Sequence, residues 1–147
     1  MTEETTAIVR VREATQETAD AVDALLRQLS PRADRVDLVH LQRMVASETI
    51  RLFVATSGGQ VVGMLTLIVA PVPSGWHGYI EDVIVDEAHR NKGFAARLVD
   101  AALDSAARTG AQHVDLTSNP EREVARTLYQ RLGFEERNTT VYRYTIE

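Results

Sequence analysis

A short run of basic and small residues, 90–95, could bind a diphosphate group. Arg90 and Lys92 carry positive charge, while Gly93 and Ala95 leave the backbone open to close approach. We expect this run at the beginning of a helix, where backbone N–H groups lack partners and the helix dipole adds positive potential. Together these features predict a phosphate cradle. A solvated helix N-terminus with incidental basic residues is the alternative interpretation.

Other motifs that would carry chemistry are absent from the sequence. It contains neither Gly-x-x-x-x-Gly-Lys-Ser/Thr, the P-loop, nor Gly-x-Gly-x-x-Gly, the dinucleotide-binding fingerprint. It has no cysteine, which excludes a disulfide scaffold, a zinc finger and a thiol nucleophile. The four histidines are scattered and show no metal-binding spacing, so we expect no metal site; they are His40, His77, His89 and His113.

The composition predicts one globular domain, 1–147. The chain has 147 residues, of which 44% are hydrophobic, enough for one core and too apolar for a disordered chain. Its longest apolar stretch, 61–72, is interrupted by polar and helix-breaking residues, so we expect no membrane span. The N-terminus is acidic, unlike a signal peptide, and a cytoplasmic location is the default expectation. The net charge of −5 disfavours a nucleic-acid partner.

Hydrophobic periodicity predicts the element order β-α-α-β-β-β-α-β-α-β-β. Thr15 is expected to cap the first helix, and Asp34 or Asp37 to precede the second. The later helices are predicted at 93–109 and 121–132, closed by Gly110 and Gly133. The strands are predicted at 6–12, 52–55, 60–69, 79–86, 114–117, 134–137 and 141–146. This order indicates a mixed α/β structure, with parallel pairing in the middle of the sheet and antiparallel pairing at its margins.

Two motifs in this order resemble those of one protein family. Arg90-Asn91-Lys92-Gly93-Phe94-Ala95 is similar to the Arg/Gln-x-x-Gly-x-Gly/Ala signature of the GNAT superfamily of N-acetyltransferases, and the strand that precedes it ends in the expected Val-x-Val, 83–85. The run 128–134, Leu-Tyr-Gln-Arg-Leu-Gly-Phe, resembles the family's Leu-Tyr-x-x-x-Gly-Phe. The resemblance covers nearly the whole chain. It implies a mixed, mostly antiparallel central sheet of about seven strands, flanked by about four helices.

The resemblance implies acetyl-CoA as co-substrate and no metal. It places the pantetheine in a gap between two splayed strands, along backbone groups of Val83, Ile84 and Val85. It places the pyrophosphate beside the charges of Arg90 and Lys92, on amides of the helix start; these are the amides of Asn91, Lys92, Gly93, Phe94, Ala95 and Ala96. Ala95 stands where the family's second glycine is expected.

The resemblance also implies direct attack of an amine on the thioester. Tyr129 matches the tyrosine that protonates the leaving thiolate; packing in the core is its alternative role. Glu81 matches a base or substrate anchor. Strand alternation predicts that Glu81 and Asp82 point to opposite faces, and leaves open which of them faces the cleft. An arginine such as Arg51 or Arg143 could instead make either carboxylate structural.

One position departs from the family pattern. Where many relatives carry an asparagine near the pantetheine, this chain has Arg122, and the nearest asparagine is Asn119. Either residue could contact the cofactor, or Asn119 could simply begin a helix.

The predicted function is transfer of an acetyl group to a primary amine of a small molecule or a peptide. The acidic balance of the chain favours a cationic acceptor. Trp76 and His77 could line the acceptor pocket or form a hydrophobic plug. A catalytically inactive acyl-CoA-binding regulatory module is the alternative function. The resemblance leaves a monomer and a homodimer open, and favours the homodimer.

Overall fold

The structure is a computed structural model that describes residues 4–147. Its backbone divides into two compact units, one ending at Leu116 and the other spanning Thr117–Glu147. The first unit holds all the strands and the first three α-helices, and the second holds the last α-helix.

The elements follow the predicted order up to the last helix. The strands are β1 (Thr6–Arg10), β2 (Ile50–Ser57), β3 (Gln60–Val72), β4 (Gly75–Val85) and β5 (Val114–Asp115). The α-helices are α1 (Gln16–Leu29), α2 (Leu38–Ala46), α3 (Phe94–Thr109) and α4 (Glu123–Arg131), and a single 3-10 turn covers Glu87–His89. The mixed α/β class is therefore confirmed.

The strands form one sheet in the order β1-β2-β3-β4-β5. The first four strands pair antiparallel, and β4 pairs with β5 in parallel. The parallel pair thus lies at one edge of the sheet, whereas the sequence predicted it in the middle. It lies at the edge because, within residues 4–147, no strand follows β5.

The prediction of about seven strands is wrong by two. Neither 134–137 nor 141–146 forms a strand among the described residues. The second segment alternates suitably, but a strand needs both a hydrogen-bonded partner and a buried face. Within residues 4–147 this segment pairs with no strand. Its apolar side chains are also 72–90% exposed; these are Val141, Tyr142, Tyr144 and Ile146.

Side-chain caps begin α1 and α2 where the sequence predicts them. Thr15 Oγ1 accepts a hydrogen bond from the Thr18 amide at 3.1 Å, and Asp37 Oδ1 accepts one from the His40 amide at 2.8 Å. Of the two aspartates considered for α2, Asp37 is therefore the cap. Gly110 ends α3 with φ 94°, a left-handed conformation that glycine adopts without steric cost.

Helices α1, α2 and α3 cover both faces of the sheet. Leu52 of β2 belongs to the apolar core that includes α1 and α2. Its neighbour Arg51 instead contacts Ser105 and Thr109 of α3. Because adjacent strand residues point to opposite faces, α3 lies on the face opposite α1 and α2.

A β-bulge interrupts the pairing of β4 with β3. Met64 pairs with Ile84 but Thr66 pairs with Glu81, so β4 carries one extra residue opposite Leu65. Asp82, at this point, has φ 52°, a left-handed conformation that is uncommon outside glycine. The bulge changes which side chains share a face of the sheet.

We expect Leu98→Ala to destabilise the first unit strongly. Leu98 of α3 is fully buried, and its Cδ1 lies 3.3 Å from the position that a Cβ on Gly63 would take. Truncation should lower the free energy of unfolding by about 2–5 kcal/mol, measured by urea denaturation. Asp100→Ala, an exposed change on the same helix, should stay within about 0.5 kcal/mol. Equal losses in the two variants would contradict the packing described for α3.

Candidate active site

The N-terminus of α3 lacks a side-chain cap. Its N-cap residue is Gly93, and no side chain there accepts a hydrogen bond from the first turn. By contrast, α1 and α2 are capped by Thr15 and Asp37. An uncapped first turn leaves backbone donors and the positive end of the helix dipole for an anion.

The turn before α3 contains two left-handed residues, Asn91 with φ 65° and Gly93 with φ 82°. Asparagine and glycine tolerate this conformation better than other residues. A Cβ on Gly93 would meet no atom within 4 Å, so backbone conformation, rather than lack of space, favours glycine here. Closely spaced left-handed residues turn successive amides toward one side, which is how backbone nests bind anions.

Arg90 and Lys92 supply the positive charge of this turn. Arg90 Nε donates to the carbonyl of Val85 at 3.2 Å, which holds the side chain against the end of β4. Lys92 is exposed. The predicted cradle residues 90–96 therefore lie together, as a turn and the first residues of α3.

Asp86 fixes the beginning of the connection between β4 and α3. Its carboxylate accepts hydrogen bonds from Gln28 Nε2 of α1 and from the His89 ring, each at 2.8 Å. The bond from Gln28 and then that from His89 lower the pKa of Asp86 below its usual value. This anchor was missed from the sequence, where a lone Gln28 in α1 gave no signal of a contact 58 residues away.

The edge of β4 that faces β5 is paired for only two residues. Gly78 pairs with Val114 and Tyr79 with Asp115. The pairing between these two strands thus ends before Val83–Val85, and on the other edge Ile84 and Val85 pair with β3. Strand residues offer N–H and C=O groups to an added extended chain in the manner of another strand. This edge could therefore hold an extended, amide-containing ligand.

A cavity of about 220 Å³ lies on the α1/α2 face beside the bulge. Asp82 lines it, and so does Thr66, the residue that pairs with Glu81. Directly paired residues share a face of the sheet, so Glu81 lies on the same α1/α2 side as Thr66. Asp82 lies on that side as well, because it lines the cavity. The predicted division of these two carboxylates between opposite faces is wrong, because the bulge breaks the alternation on which it rested.

The cavity combines apolar walls with charged and polar groups at its rim. Its walls come from Val22, Leu26, Met44, Leu52 and Met64. Its charged and titratable lining residues are Asp34, Arg35, His40 and Asp82. From the sequence, Asp34 was expected only as a possible start of α2, and Arg35 and His40 had no expected place in a site, because no recognisable motif includes these three residues. Carboxylates beside apolar walls suit a ligand that carries a cation on a hydrocarbon frame.

Asp23 organises the connection between α1 and α2. It is buried, at 7% exposure, and accepts a hydrogen bond from the Val36 amide at 2.8 Å. It also lies near Arg27 and Arg35, at 3.5 and 3.6 Å. Arg27 in turn donates to the carbonyls of Ala33 and Asp34. One sequence signal was available: an aspartate on the buried face of α1, four residues before an arginine.

Trp76 and His77, the predicted pocket residues, lie elsewhere in the first unit. His77 packs against the His113 ring with centroids 4.2 Å apart, and Trp76 is 40% exposed. Neither lines the cavity beside Asp82. Across residues 4–147, His, Cys, Asp and Glu form no group of three that could hold a metal ion.

Tyr129 lies in the second unit, where the motif 128–134 ends α4. Gly133 has φ 98°, its amide donates to the Gln130 carbonyl at 3.1 Å, and the Phe134 amide donates to the Tyr129 carbonyl at 3.0 Å. This is a Schellman ending, which favours an apolar contact between the residues at its two ends. The Tyr129 and Phe134 rings make that contact, edge to face at 5.7 Å. The geometry of this helix ending thus explains why a glycine and two aromatic residues stand at these positions of the motif.

The Tyr129 hydroxyl is favoured in its protonated form. Burial raises the pKa of Tyr129 above its usual value, while the charge of Arg122 opposes that rise. Tyr129 therefore stays protonated at neutral pH and can donate a proton or a hydrogen bond.

The other two predicted cofactor residues lie just before α4. Asn119 Oδ1 accepts a hydrogen bond from the Glu121 amide at 3.0 Å, and its carbonyl accepts one from the Arg122 amide at 3.0 Å. Asn119 therefore closes a turn ahead of α4, and the helix itself begins later, with Arg122 as its N-cap residue. Arg122 is exposed at the N-terminus of α4.

No helix among the described residues is long and apolar enough to cross a bilayer.

Comparison with known proteins identifies a family for this chain. The model of the Acetyltransferase (GNAT) family matches residues 18–134. An aminoalkylphosphonate N-acetyltransferase of Salmonella typhimurium is 26% identical over 135 residues, which cover 88% of this chain and 86% of that protein. N-alpha-acetyltransferase 30 of Schizosaccharomyces pombe is 37% identical over 67 residues, which cover 46% of this chain and only 44% of that protein.

A solved structure shares the fold. Aminoglycoside N-acetyltransferase AAC(6')-Iy in complex with CoA superposes with a TM-score of 0.82 at 18% identity, and the match covers 97% of this chain and 95% of the other. The family match spans most of the chain and includes both motifs, 90–95 and 128–134. The chain belongs to the acetyltransferase (GNAT) family of acetyl-CoA-dependent enzymes, whose motifs are similar to 90–95 and 128–134.

Proposed function

We propose that the protein transfers an acetyl group from acetyl-CoA to a primary amine by direct attack of the amine on the thioester. One observation carries the proposal: an uncapped helix N-terminus with Arg90 and Lys92 directly follows a strand whose edge is only partly paired. An anion site and an extended-chain site in succession match the pyrophosphate and pantetheine parts of one ligand. The family match over residues 18–134 supports treating both units as one acetyltransferase domain.

In this proposal the first unit holds the co-substrate. Backbone groups of Val83, Ile84 and Val85 bind the amides of pantetheine, and the amides of 91–96 bind the pyrophosphate. Arg90 and Lys92 add charge-assisted contacts, which are stronger than neutral hydrogen bonds. The complex of AAC(6')-Iy with CoA supports CoA as the ligand of this fold. Either Asn119 or Arg122 also contacts the co-substrate in this proposal.

The cavity beside the bulge takes the acceptor amine. Asp82 lines it and anchors the ammonium form of the acceptor, with Asp34 adding negative charge. Glu81, on the same face, accepts the proton that the amine must lose before or during attack. As the amine nitrogen bonds to the carbonyl carbon, the C–S bond breaks. Tyr129 gives its hydroxyl proton to the departing sulfur.

The names of the relatives support an amine acceptor without selecting one. They describe N-acetylation of aminoalkylphosphonates, aminoglycosides and alpha-amino groups. We therefore propose a small-molecule or peptide amine that is cationic, because carboxylates line the cavity.

A catalytically inactive acyl-CoA-binding module remains the second candidate. It would need the cradle at α3 but not the hydroxyl of Tyr129 or the carboxylates of Glu81 and Asp82. The two functions therefore differ in thiol release from acetyl-CoA, not in acetyl-CoA binding.

We expect the double change Arg90→Ala/Lys92→Ala to weaken acetyl-CoA binding about tenfold or more, because two charge-assisted phosphate contacts are lost. Calorimetric titration measures the dissociation constants. Arg43→Ala, an exposed arginine on α2, is the control and should leave binding unchanged. Unaltered affinity in the folded double variant would remove the cradle from the proposal.

We expect Tyr129→Phe to reduce kcat about 10²-fold or more, because the proton donor is lost. The phenylalanine ring keeps the contact with Phe134, so the melting temperature should stay near that of the parent protein. Thiol release is followed with an aminoglycoside, an aminoalkylphosphonate and a peptide with a free amino terminus, and kcat is compared on the best acceptor. Tyr142→Phe, an exposed tyrosine, is the matched control.

Full activity of Tyr129→Phe would show that another group or water protonates the thiolate. Absence of thiol release from the parent protein with every amine, despite acetyl-CoA binding, would favour the inactive module.

The two carboxylates should separate into different kinetic effects. Glu81→Gln should lower kcat, because the proton acceptor is lost, whereas Asp82→Asn should raise the KM for a cationic acceptor about tenfold through loss of the ion pair. Asparagine suits the test because it tolerates the left-handed conformation of position 82. Steady-state kinetics with the acceptor varied at saturating acetyl-CoA measure both. A fall in kcat in Asp82→Asn alone would assign the base to Asp82 instead.

A further inference from the structure

A second cleft lies on the opposite face of the sheet from the acceptor cavity. It has a volume of about 420 Å³ and lies between the β1–β2 edge and the C-terminal half of α3. Leu52 lines the acceptor cavity and Arg51 lines the cleft, and adjacent strand residues point to opposite faces. The cleft is thus separate from the cavity, and it lies toward the end of α3 opposite the cradle.

Four arginines surround this cleft in a chain whose net charge is −5. They are Arg10, Arg12, Arg51 and Arg108, and the one carboxylate that lines the cleft is Asp104. That carboxylate pairs with Arg108 at 3.0 Å. Within residues 4–147, Arg10 and Arg12 take part in no ion pair. The cleft therefore carries an excess of positive charge, although the net charge of the whole chain is negative.

Arg51 is fixed in place by Nη1 and has a buried donor, Nε, without a partner. Its Nη1 donates to Ser105 Oγ at 2.9 Å and to Thr109 Oγ1 at 2.6 Å. Its Nε is buried and has no hydrogen-bond partner. A buried donor without a partner is costly, and it commonly indicates a ligand, an ion or a water molecule. The contacts to α3 satisfy the donors of Nη1, but they leave the Nε–H group without an acceptor.

The arginines also lie close enough to repel one another. Burial lowers the pKa of Arg10, and the nearby charges of Arg12 and Arg51 lower it further. Like charges brought together on neighbouring strands destabilise a sheet unless a counter-charge joins them. Phe53, which pairs with Arg10 across the strands, gives the cleft an apolar floor that strengthens charge interactions above it.

We propose that this cleft binds a small, multiply charged oxoanion through Arg10, Arg12 and Arg51. Phosphate groups suit planar guanidinium donors, which bind two oxygens at a time. The site is independent of acetyl transfer, since none of its residues belongs to the cradle, the β4 edge or the acceptor cavity.

Tripolyphosphate is the probe, titrated calorimetrically at constant ionic strength. We expect a saturable binding event in the cleft, separate from any binding at the cradle, and Arg10→Gln/Arg12→Gln should weaken it about tenfold or more. Arg32→Gln/Arg43→Gln removes two exposed arginines from outside the cleft and should leave the affinity unchanged. Arg90→Ala/Lys92→Ala should bind tripolyphosphate at the cleft as before, which separates this site from the cradle.

A second measurement keeps the test independent of folding in the variants. In the parent protein, the Nε–H resonance of Arg51 should shift on addition of tripolyphosphate and saturate with the same dissociation constant. Equal weakening in the two arginine-to-glutamine variants would mean binding to general surface charge and would overturn the proposal. So would the absence of saturable binding at millimolar probe, or binding lost only in Arg90→Ala/Lys92→Ala.

Discussion

One extra residue in β4 determines how the candidate site is arranged. Without the bulge opposite Leu65, Glu81 and Asp82 would point to opposite faces of the sheet. With it, both lie on the side of α1 and α2, where a cavity exists, and Ile80 and Ile84 lie on opposite faces although their positions differ by four, an even number. The left-handed conformation of Asp82 is the local cost of this arrangement, and such strained positions concentrate at functional sites.

Helix α3 shows a corresponding asymmetry between its ends. Its buried face, which includes Leu98, Val99 and Ala102, fixes it against the sheet. Its first turn has no side-chain cap, whereas its last turn is closed by Gly110 and contacted by Arg51. A helix held by its side and its C-terminus can leave its N-terminal amides available, because its stability does not depend on capping them.

Local sequence signals predicted the elements well, and long-range relations poorly. Caps at Thr15 and Asp37 and the glycine ends of α3 and α4 depend on residues within one turn, so they could be recognised from the sequence. The bulge at Asp82 depends on the register of β4 against β3. No residue near Asp82 in the sequence indicates that register. The last two predicted strands failed for a related reason, since alternation supplies a pattern but not a pairing partner.

The same distinction applies to the candidate site. The cradle is one continuous segment, so its residues could be predicted one by one from a local motif. The cavity beside the bulge brings together α1, α2, β2, β3 and the bulge itself. Its Asp34 and His40, like the Gln28–Asp86 contact, become neighbours of the site only through tertiary packing. No spacing in the sequence encodes such contacts.

The exposed position of Lys92 in the turn before α3 has a practical consequence, because the chain contains no other lysine. The remaining fifteen basic side chains of Lys and Arg type are guanidinium groups, which amine-directed reagents leave unmodified. Amine-acylating dyes therefore have a single side-chain amine as their target, and it lies in the turn that leads into the α3 N-terminus. The rate of its modification becomes a direct optical measure of whether that turn is occupied.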